Sequence, residues 1–284
     1  MKTSGYEVRA LSTGRFRLDG GAMFGNVPKV LWEKQHRPDE QNRILMELRV
    51  LYVEGGGRRI LVDTGSGNQW NEKEMSIFAL ESPPEPGVVS ALRKAGVDPA
   101  SITDVVLTHL HFDHAGGVTR KGSDGAPTLT FPTARHHLQA ANWATAQDPN
   151  ERERASYLAR NRDPLRDLGS LLVLHDGPTE ILPDVFVEPS EGHTSGLQTV
   201  RFGSEEDAIV YTADLLPMRA HVPVAWTMGY DLCPRTLMKE KRALLERAVK
   251  HRWIVVLEHD PGRDAVRVTE NEGRFAAADD VALP

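Results

Sequence analysis

Short apolar runs in the first third of the chain predict β-strands. Strand-like patterns cover 6–18 and 43–53, and the second of these runs is rich in residues that favour strands. Three glycines at 55–57 then predict a turn into a short apolar strand at 59–63. A helix is expected over 85–95, because its apolar residues recur at the spacing that places them on one face.

The remainder of the chain mixes both kinds of element. A buried strand is predicted at 104–108, and it runs directly into a cluster of histidines. An amphipathic helix at 235–250 precedes a strand at 253–257, which is predicted to be the last. Between these the pattern predicts helices at 134–146 and 151–162 and strands at 171–174, 185–187, 199–202 and 208–212.

The order of these elements favours an α/β fold. The strands are grouped in two blocks, each accompanied by helices, which predicts two sheets packed together with helices outside. The sequence has no internal repeat, low-complexity tract or long linker. A single domain covering residues 1–284 is therefore expected.

Composition and charge exclude several classes of partner. The chain of 284 residues has a formal net charge of −6 and a pI near 6.0, which disfavours a general nucleic-acid binder. No apolar stretch approaches the roughly 18 residues that cross a bilayer, and the start lacks the apolar run of a secretory signal. The single cysteine, Cys233, excludes an internal disulfide. A cytoplasmic location without a membrane partner is expected.

The candidate chemistry is concentrated in one short motif. His109, His111, Asp113 and His114 fall within six positions. Alternate residues of an extended segment point the same way, so His109 and His111 can bind one ion. If the two glycines that follow permit a tight turn, Asp113 and His114 can reach a second ion. A histidine-rich loop without metal is the alternative, but crowded imidazoles are electrostatically unfavourable unless a cation organises them as neutral ligands.

The segment THLHFDHAGG at 108–117 resembles the T-H-x-H-x-D-H-x-G-G signature of metallo-β-lactamase-fold hydrolases, and the resemblance extends over most of the chain. It implies a four-layer αβ/βα sandwich of two mixed β-sheets flanked by helices, with metal ions at one edge. The remaining family ligands match His193 in GHTSG, Asp214 in YTAD and His259 in LEHD, while Asp63 in DTG matches a supporting residue. The resemblance implies that one ion binds His109, His111 and His193, that the other binds Asp113, His114 and His259, and that Asp214 lies between them.

This ligand set indicates the cofactors and the reaction class. Histidine and carboxylate ligands without a thiolate suit Zn²⁺ best, with Fe, Mn or Co as alternatives, so two divalent metal ions are expected. Two close ions share a bridging water and lower its pKa toward about 7, which gives a hydroxide nucleophile at neutral pH. That hydroxide is expected to attack a carbonyl or phosphoryl centre, with Asp113 orienting it or passing a proton.

Two further segments resemble the lactonase and organophosphate-hydrolase branch of this family. Residues 18–25 are similar to an N-terminal loop that overhangs the site, and 219–231 is similar to a segment of quorum-quenching lactonase-like hydrolases. The resemblance implies an apolar acyl pocket lined by Met23, Phe24, Trp226 and Met228. Ordinary core or lid packing is the alternative for these four side chains.

One position departs from the lactonase pattern. Many acyl-homoserine lactonases have a substrate-binding tyrosine three residues after the bridging aspartate, whereas this chain has Pro217 there. Tyr230 and His221, from the following segment, are the candidates to replace it as catalytic residues. His136 and His137 fall on a predicted helix and are expected to be surface or packing residues.

Together these features predict a dinuclear metal-dependent hydrolase in which a bridging hydroxide attacks an ester or lactone carbonyl. Small molecules resembling acyl-homoserine lactones are the expected substrates, and a homodimer is left open. An organophosphate or phosphodiester hydrolase on the same site is the first alternative. A ligand-binding or sensor protein on a retired hydrolase scaffold is the second, and the complete set of ligand positions disfavours it.

Overall fold

Two large mixed β-sheets form the framework of the protein, as seen in a computed structural model that describes residues 1–80 and 85–284. One sheet has seven strands in the order β1-β2-β3-β4-β5-β8-β9, where β1 is Lys2–Thr3, β2 Tyr6–Asp19, β3 Arg43–Gly55, β4 Arg58–Val62, β5 Asp104–Val106, β8 Arg135–Gln139 and β9 Leu172–His175. A separate two-stranded sheet joins β6 (Thr119–Lys121) to β7 (Pro127–Leu129).

The second large sheet has seven strands in chain order, and its neighbours are antiparallel except for one central parallel pair, β13 and β14. Its strands are β10 (Thr179–Leu182), β11 (Val185–Ser190), β12 (Leu197–Phe202), β13 (Ile209–Tyr211), β14 (Ile254–Val256), β15 (Ala265–Asn271) and β16 (Arg274–Val281). In the first sheet β4, β5, β8 and β9 run parallel. Parallel neighbours end at the same edge, which gathers the loops that follow them.

Helices flank the two sheets or lie in the loops between their strands. They are α1 (Gly20–Phe24), α2 (Lys29–Trp32), α3 (Glu72–Phe78), α4 (Gly87–Lys94), α5 (Phe112–Ala115), α6 (Ala140–Gln147), α7 (Ala159–Arg162) and α8 (Pro234–Lys250). Short 3₁₀ turns complete the loops at Pro99–Ser101, Gly116–Val118, Asp163–Leu171, Ala213–Leu215 and Arg219–His221. Within the described ranges, no helix combines the length and the apolarity that crossing a bilayer requires.

Buried apolar side chains account for the layered arrangement. Val53 and Val106 of the first sheet share one cluster with Val200 and Val256 of the second, so the two sheets pack face to face. On the outer face of the first sheet, α4 buries Val88, Val89 and Leu92 in a separate cluster. On the other side, α8 turns its apolar stripe toward the second sheet. The predicted α/β sandwich of two mixed sheets flanked by helices is confirmed.

The segment 134–146 differs from its predicted helix. Its first half is β8, which pairs in parallel with β5, and only its second half is helical. His136 and His137 therefore lie on a strand and are buried, not at the surface of a helix. His137 Nε2 lies 3.1 Å from Asp104 Oδ1 on β5. The helix prediction is wrong here because the strand pairing outweighs the local helical preference of the sequence.

Two other predictions fail for related reasons. Of the predicted helix at 151–162, only α7 is helical, because Glu153 turns inward and its carboxylate accepts hydrogen bonds from Thr194 and Asn150. The strand at 253–257 is not the last, since β15 and β16 extend the second sheet beyond it. Polar and small residues dominate the exposed face of β16, so its period-two signal is weak.

Candidate metal centre

The histidine and aspartate side chains of the motifs converge at one edge of the two sheets. His109 follows β5, His193 lies between β11 and β12, Asp214 follows β13, and His259 follows β14. The parallel course of β4 and β5, and of β13 and β14, brings these strand ends to the same side. The candidate site is thus built by loops on a rigid scaffold.

The first cluster contains three imidazoles and one carboxylate. The ligand atoms of His109, His111, His193 and Asp214 all lie within 4.8 Å of one another, and the four residues are buried. His193 Nε2 lies 3.1 Å from Asp214 Oδ2, and His109 Nε2 lies 3.0 Å from His111 Nδ1. Nitrogen and oxygen atoms at this spacing can surround one ion of the size of Zn²⁺.

The second cluster adjoins the first through Asp214. The ligand atoms of Asp113, His114 and His259 lie within 4.8 Å of one another. Asp214 Oδ1 lies 3.3 Å from His259 Nε2, and Asp214 Oδ2 lies 3.5 Å from His114 Nε2. One carboxylate therefore faces both clusters, as a bridging ligand must.

The two glycines after the motif serve close packing more than turn geometry. Gly116 has ordinary helical torsions, with φ of −62°. A Cβ atom on Gly116 would lie 2.2 Å from the Ser66 backbone, and one on Gly117 would lie 2.2 Å from the Thr64 carbonyl oxygen. The glycines thus let the loop after β4 approach the motif, and the Thr64 amide donates a hydrogen bond to the His114 carbonyl at 2.7 Å.

The residues present fit metal ions. His114 Nε2, His259 Nε2 and Asp214 Oδ1 are buried and make no hydrogen bond with the described part of the chain. Buried polar atoms are nearly always hydrogen-bonded, so these three atoms, which face one another, are placed to share a partner of another kind. A divalent cation bound by imidazole nitrogens and carboxylate oxygens supplies that partner.

The far sides of the His193 and His259 imidazoles are each held by an oxygen. His193 Nδ1 lies 2.9 Å from Asp231 Oδ1, and His259 Nδ1 lies 2.9 Å from the Glu47 carbonyl oxygen. The N–H groups donated to these oxygens leave the opposite nitrogens free to face the site, which fixes the tautomers of both rings. The sequence did not reveal Asp231 or Glu47 as partners, because neither belongs to a ligand motif.

His114 has two carboxylates behind it. Its Nδ1 lies 3.0 Å from Asp63 Oδ2 and 3.0 Å from Glu258 Oε2. Asp63 also accepts hydrogen bonds from the amide and the hydroxyl of Thr108, at 2.7 Å each. Asp63 therefore lies behind His114, at the predicted supporting position. Glu258, which is fully buried and directly precedes the candidate ligand His259 in sequence, lies there as well. Burial raises the pKa of Glu258 to about 7.

Electrostatics divide the imidazoles into two kinds. Burial and the neighbouring imidazoles hold the pKa of His109 and His111 well below its usual value. Burial also opposes charge on His193 and His259, but carboxylates outweigh it and raise their pKa to about 10 and about 9. Burial would likewise raise the pKa of Asp214, yet the charges of nearby imidazoles hold it well below its usual range. The site as a whole attracts positive charge, which protons or metal ions can supply.

A cavity of about 200 Å³ opens onto both clusters. Five of the seven predicted ligands reach its wall, namely His111, Asp113, His193, Asp214 and His259. The remaining wall is mainly apolar and consists of Leu18, Met23, Met46, Phe78, Phe112, Ala155 and Met228, with Arg152, Glu153, Ser156 and Tyr230 as its polar members. A small, mostly apolar molecule can thus lie directly against the candidate metal ions.

The four predicted pocket residues separate into two pairs. Met23 and Met228 line the cavity. Phe24 and Trp226 do not line it; Phe24 is buried behind the wall, where it stacks on Trp32 with ring centroids 5.3 Å apart. Trp226 packs edge-on against the same phenylalanine. Those two aromatic rings support the wall from behind, and only the two methionines reach the cavity.

The two candidates to replace the lactonase tyrosine also differ in position. Tyr230 lies at the wall of the cavity and is 39% exposed. His221 lies outside the cavity, stacked on Phe24 with ring centroids 5.0 Å apart, and its Nε2 lies 2.9 Å from the Met23 carbonyl oxygen. Burial lowers the pKa of His221 to about 3, so it is a neutral packing residue. Of the two candidates, only Tyr230 reaches the cavity.

Known proteins resemble this chain in sequence and in fold. An N-acyl homoserine lactonase from Bacillus sp is 28% identical over 181 residues, which span 62% of this chain and 63% of that protein. The N-acyl homoserine lactonase AttM from Agrobacterium fabrum is 25% identical over 72% of this chain and 76% of its own length. The chain thus matches just under two thirds of the length of the Bacillus relative.

Solved structures extend the similarity over the whole chain. A probable metal-dependent hydrolase from Staphylococcus aureus has a TM-score of 0.87 and 28% identity, covering 99% of this chain and 100% of that one. AidC, a dizinc quorum-quenching lactonase, has a TM-score of 0.81 at 20% identity, covering 100% and 97%, and at that identity it supports the fold alone. The family model of the metallo-β-lactamase superfamily matches residues 49–259, which contain all seven candidate ligands. The chain belongs to the metallo-β-lactamase superfamily.

Proposed function

We propose that this protein is a hydrolase with two bound metal ions that opens lactones or cleaves related esters, with compounds like acyl-homoserine lactones as its substrates. The observation that carries the proposal is the position of Asp214 at the wall of a mainly apolar cavity. It belongs to the first ligand cluster and also lies next to His114 and His259 of the second. Relatives named as N-acyl homoserine lactonases support the same reaction class.

The two clusters would each hold one ion, with Zn²⁺ as the proposed metal and Fe, Mn or Co as alternatives. When bound, such a pair of ions supplies a water of lowered pKa as nucleophile and polarises the substrate carbonyl. The chain contributes the geometry, because the Asp231 and Glu47 oxygens fix the ring orientations of His193 and His259 before any substrate binds.

Asp113 is the residue proposed to handle the proton. Its carboxylate oxygens lie 3.9 Å from His114 Nε2 and 3.7 Å from His259 Nε2, and it also faces the cavity. It can therefore orient the attacking water and accept its proton. In the proposed lactone hydrolysis the water oxygen bonds to the carbonyl carbon and the ring C–O bond breaks. The leaving oxygen takes up a proton, which gives a hydroxy acid.

The cavity favours a small reacting group with an apolar extension. A volume of about 200 Å³ is at the small end of ligand cavities, so it suits a compact reacting group such as a lactone ring. A longer chain would leave past Tyr230, whose phenol can donate a hydrogen bond to a substrate carbonyl.

A hydrolysis panel on metal-analysed protein tests the proposal. We expect acyl-homoserine lactones to be turned over with a higher kcat/KM than aryl phosphotriesters, and the reverse order would favour the phosphohydrolase alternative. His109→Ala and Asp214→Ala should abolish turnover. The control His251→Ala should not, because His251 lies outside both clusters and its Nδ1 pairs with the exposed Glu206. A metal-loaded protein inert toward every lactone, ester and phosphotriester would leave only the ligand-binding alternative.

A further inference from the structure

Helix α8 contains one residue that its amphipathic pattern does not explain. Its buried face includes Leu237 and Leu245, and Lys241 lies midway between them on that same face. Lys241 is 0% exposed, although lysine is rarely buried without a charged partner. Burial lowers the pKa of this ammonium group to about 8. A leucine would fill the same space at a lower desolvation cost, so packing alone does not explain a lysine at this position.

Lys241 faces a segment with little regular structure. We call residues 217–231 the wall segment, because Met228 and Tyr230 within it line the cavity. Apart from one 3₁₀ turn, it forms neither helix nor strand, so its backbone carbonyls must find partners outside regular hydrogen bonding. The segment ends at Asp231, whose carboxylate holds the candidate ligand His193.

The ammonium group supplies two of those partners. Lys241 Nζ donates hydrogen bonds to the carbonyl oxygen of Trp226 at 2.7 Å and to that of His221 at 3.0 Å. These two carbonyls lie five residues apart, so one side chain pins the middle of the wall segment at two points. Hydrogen bonds from a charged donor to buried acceptors are among the stronger ones in proteins.

The preceding residue holds the neighbouring loop in a similar way. Glu240 accepts hydrogen bonds from Ser190 Oγ at 2.7 Å and from the Gly192 amide at 3.2 Å. Consecutive residues of α8 therefore fix the loop that carries His193 and the segment that carries Met228. One rigid helix thereby sets the distance between a candidate ligand and the apolar wall opposite it.

We propose that Lys241 is a positioning residue that fixes the wall segment against α8 and so determines how tightly substrate binds in the cavity. The side chain does not line the cavity itself, so it acts through Trp226, His221 and the residues that follow. Its kinetic effect rests on the proposed hydrolase function, since Met228 and Tyr230 contact substrate only if the reaction occurs there. Loss of the positioning should raise KM while the chemical step is largely retained.

Hydrogen exchange tests the structural part without any substrate. The variant Lys241→Met keeps the length and apolar volume of the side chain but leaves both carbonyls unpaired. In the metal-loaded protein we expect backbone amides within 222–231 to exchange about tenfold faster than in the wild type, with β3 and β4 unchanged. The matched control is Lys239→Met, an exposed lysine on the same helix, which should exchange like the wild type.

Steady-state kinetics test the functional part. We expect Lys241→Met to raise KM for a lactone about fivefold with kcat within about twofold of the wild type, and Lys241→Arg, which retains donors, to recover most of the protection from exchange. Equal exchange and equal KM in Lys241→Met and Lys239→Met would overturn the proposal. A Lys241→Met protein that fails to fold would also overturn the proposal, because the lysine would then stabilise the whole domain. If the wild type hydrolyses no lactone, the proposed function fails while the exchange comparison still decides the role of Lys241.

Discussion

Replacing Asp231 with asparagine should weaken one metal site and spare the other. Asp231 is 1% exposed, and its two carboxylate oxygens accept separate hydrogen bonds, from His193 Nδ1 at 2.9 Å and from the Met228 amide at 2.7 Å. Asparagine has one carbonyl oxygen and one NH₂ group, so it can accept only one of the two. The substitution leaves the shape of the side chain almost unchanged and removes a single acceptor and a charge.

The structure sets the expected size of the effect. Leaving one buried donor unpaired costs about 1–3 kcal/mol. Loss of an outer hydrogen bond to a ligating histidine typically lowers metal affinity about 10–100-fold, which corresponds to about 1.4–2.7 kcal/mol. We therefore expect the Kd of the site formed by His109, His111 and His193 to rise by that factor. The site formed by Asp113, His114 and His259 should weaken less, because the outer nitrogens of its two rings have partners other than Asp231.

A competition titration with a chromophoric chelator measures both binding steps on metal-free protein. Asp279→Asn, a surface aspartate on β16, is the matched control and should bind like the wild type. Two unchanged steps in Asp231→Asn would refute the reasoning that the outer oxygen determines ligand strength. Equal weakening of both steps would also refute it, since Asp231 would then act on the fold and not on His193.

Further predictions concern the cavity, a side chain that joins two ligand loops, the core and the metal. Tyr230→Phe should raise KM for a lactone about three- to tenfold with little change in kcat, in steady-state assays, because only a hydrogen bond is lost. Asn142→Ala should lower the melting temperature of the metal-loaded protein, in scanning calorimetry, since Asn142 accepts a hydrogen bond from the Leu110 amide and donates one to the Ser195 carbonyl and so joins two ligand loops. Leu245→Ala should reduce the free energy of unfolding by about 2–5 kcal/mol in urea while activity per folded molecule persists, because Leu245 is fully buried away from the site. Chelation should abolish hydrolysis and lower the melting temperature, and re-addition of Zn²⁺ should restore both.

The candidate ligands were found because the motif at 108–117 and three further segments match a known family signature, and several of these segments follow strands of strong apolar pattern. His109 follows β5 and Asp214 follows β13, so the strand predictions and the motif matches supported one another. The long helix α8 was likewise evident from its periodicity. Local patterns of this kind correspond to the folded structure because their apolar positions are buried there.

The supporting contacts could not be predicted from sequence. Asp231 lies 38 positions from His193, and no spacing rule connects them. Lys241 appeared as one more polar residue of an amphipathic helix, and its burial depends on the irregular segment packed over it. His221 and Phe24 show the opposite case. Their positions in the sequence suggested contact with the cavity, but the fold places both side chains behind its wall. Such pairings arise only once the whole chain is folded.

A metal titration of the activity tests the central claim most directly. Zn²⁺ is added in increments to metal-free protein, and the opening of an acyl-homoserine lactone is followed. Tight binding to the protein keeps the concentration of free metal low. Because Asp214 lies between the two clusters, hydrolysis should rise to a plateau at about two equivalents of metal per chain. A plateau at one equivalent would contradict the dinuclear site, and a fully loaded protein without lactonase activity would contradict the proposed function.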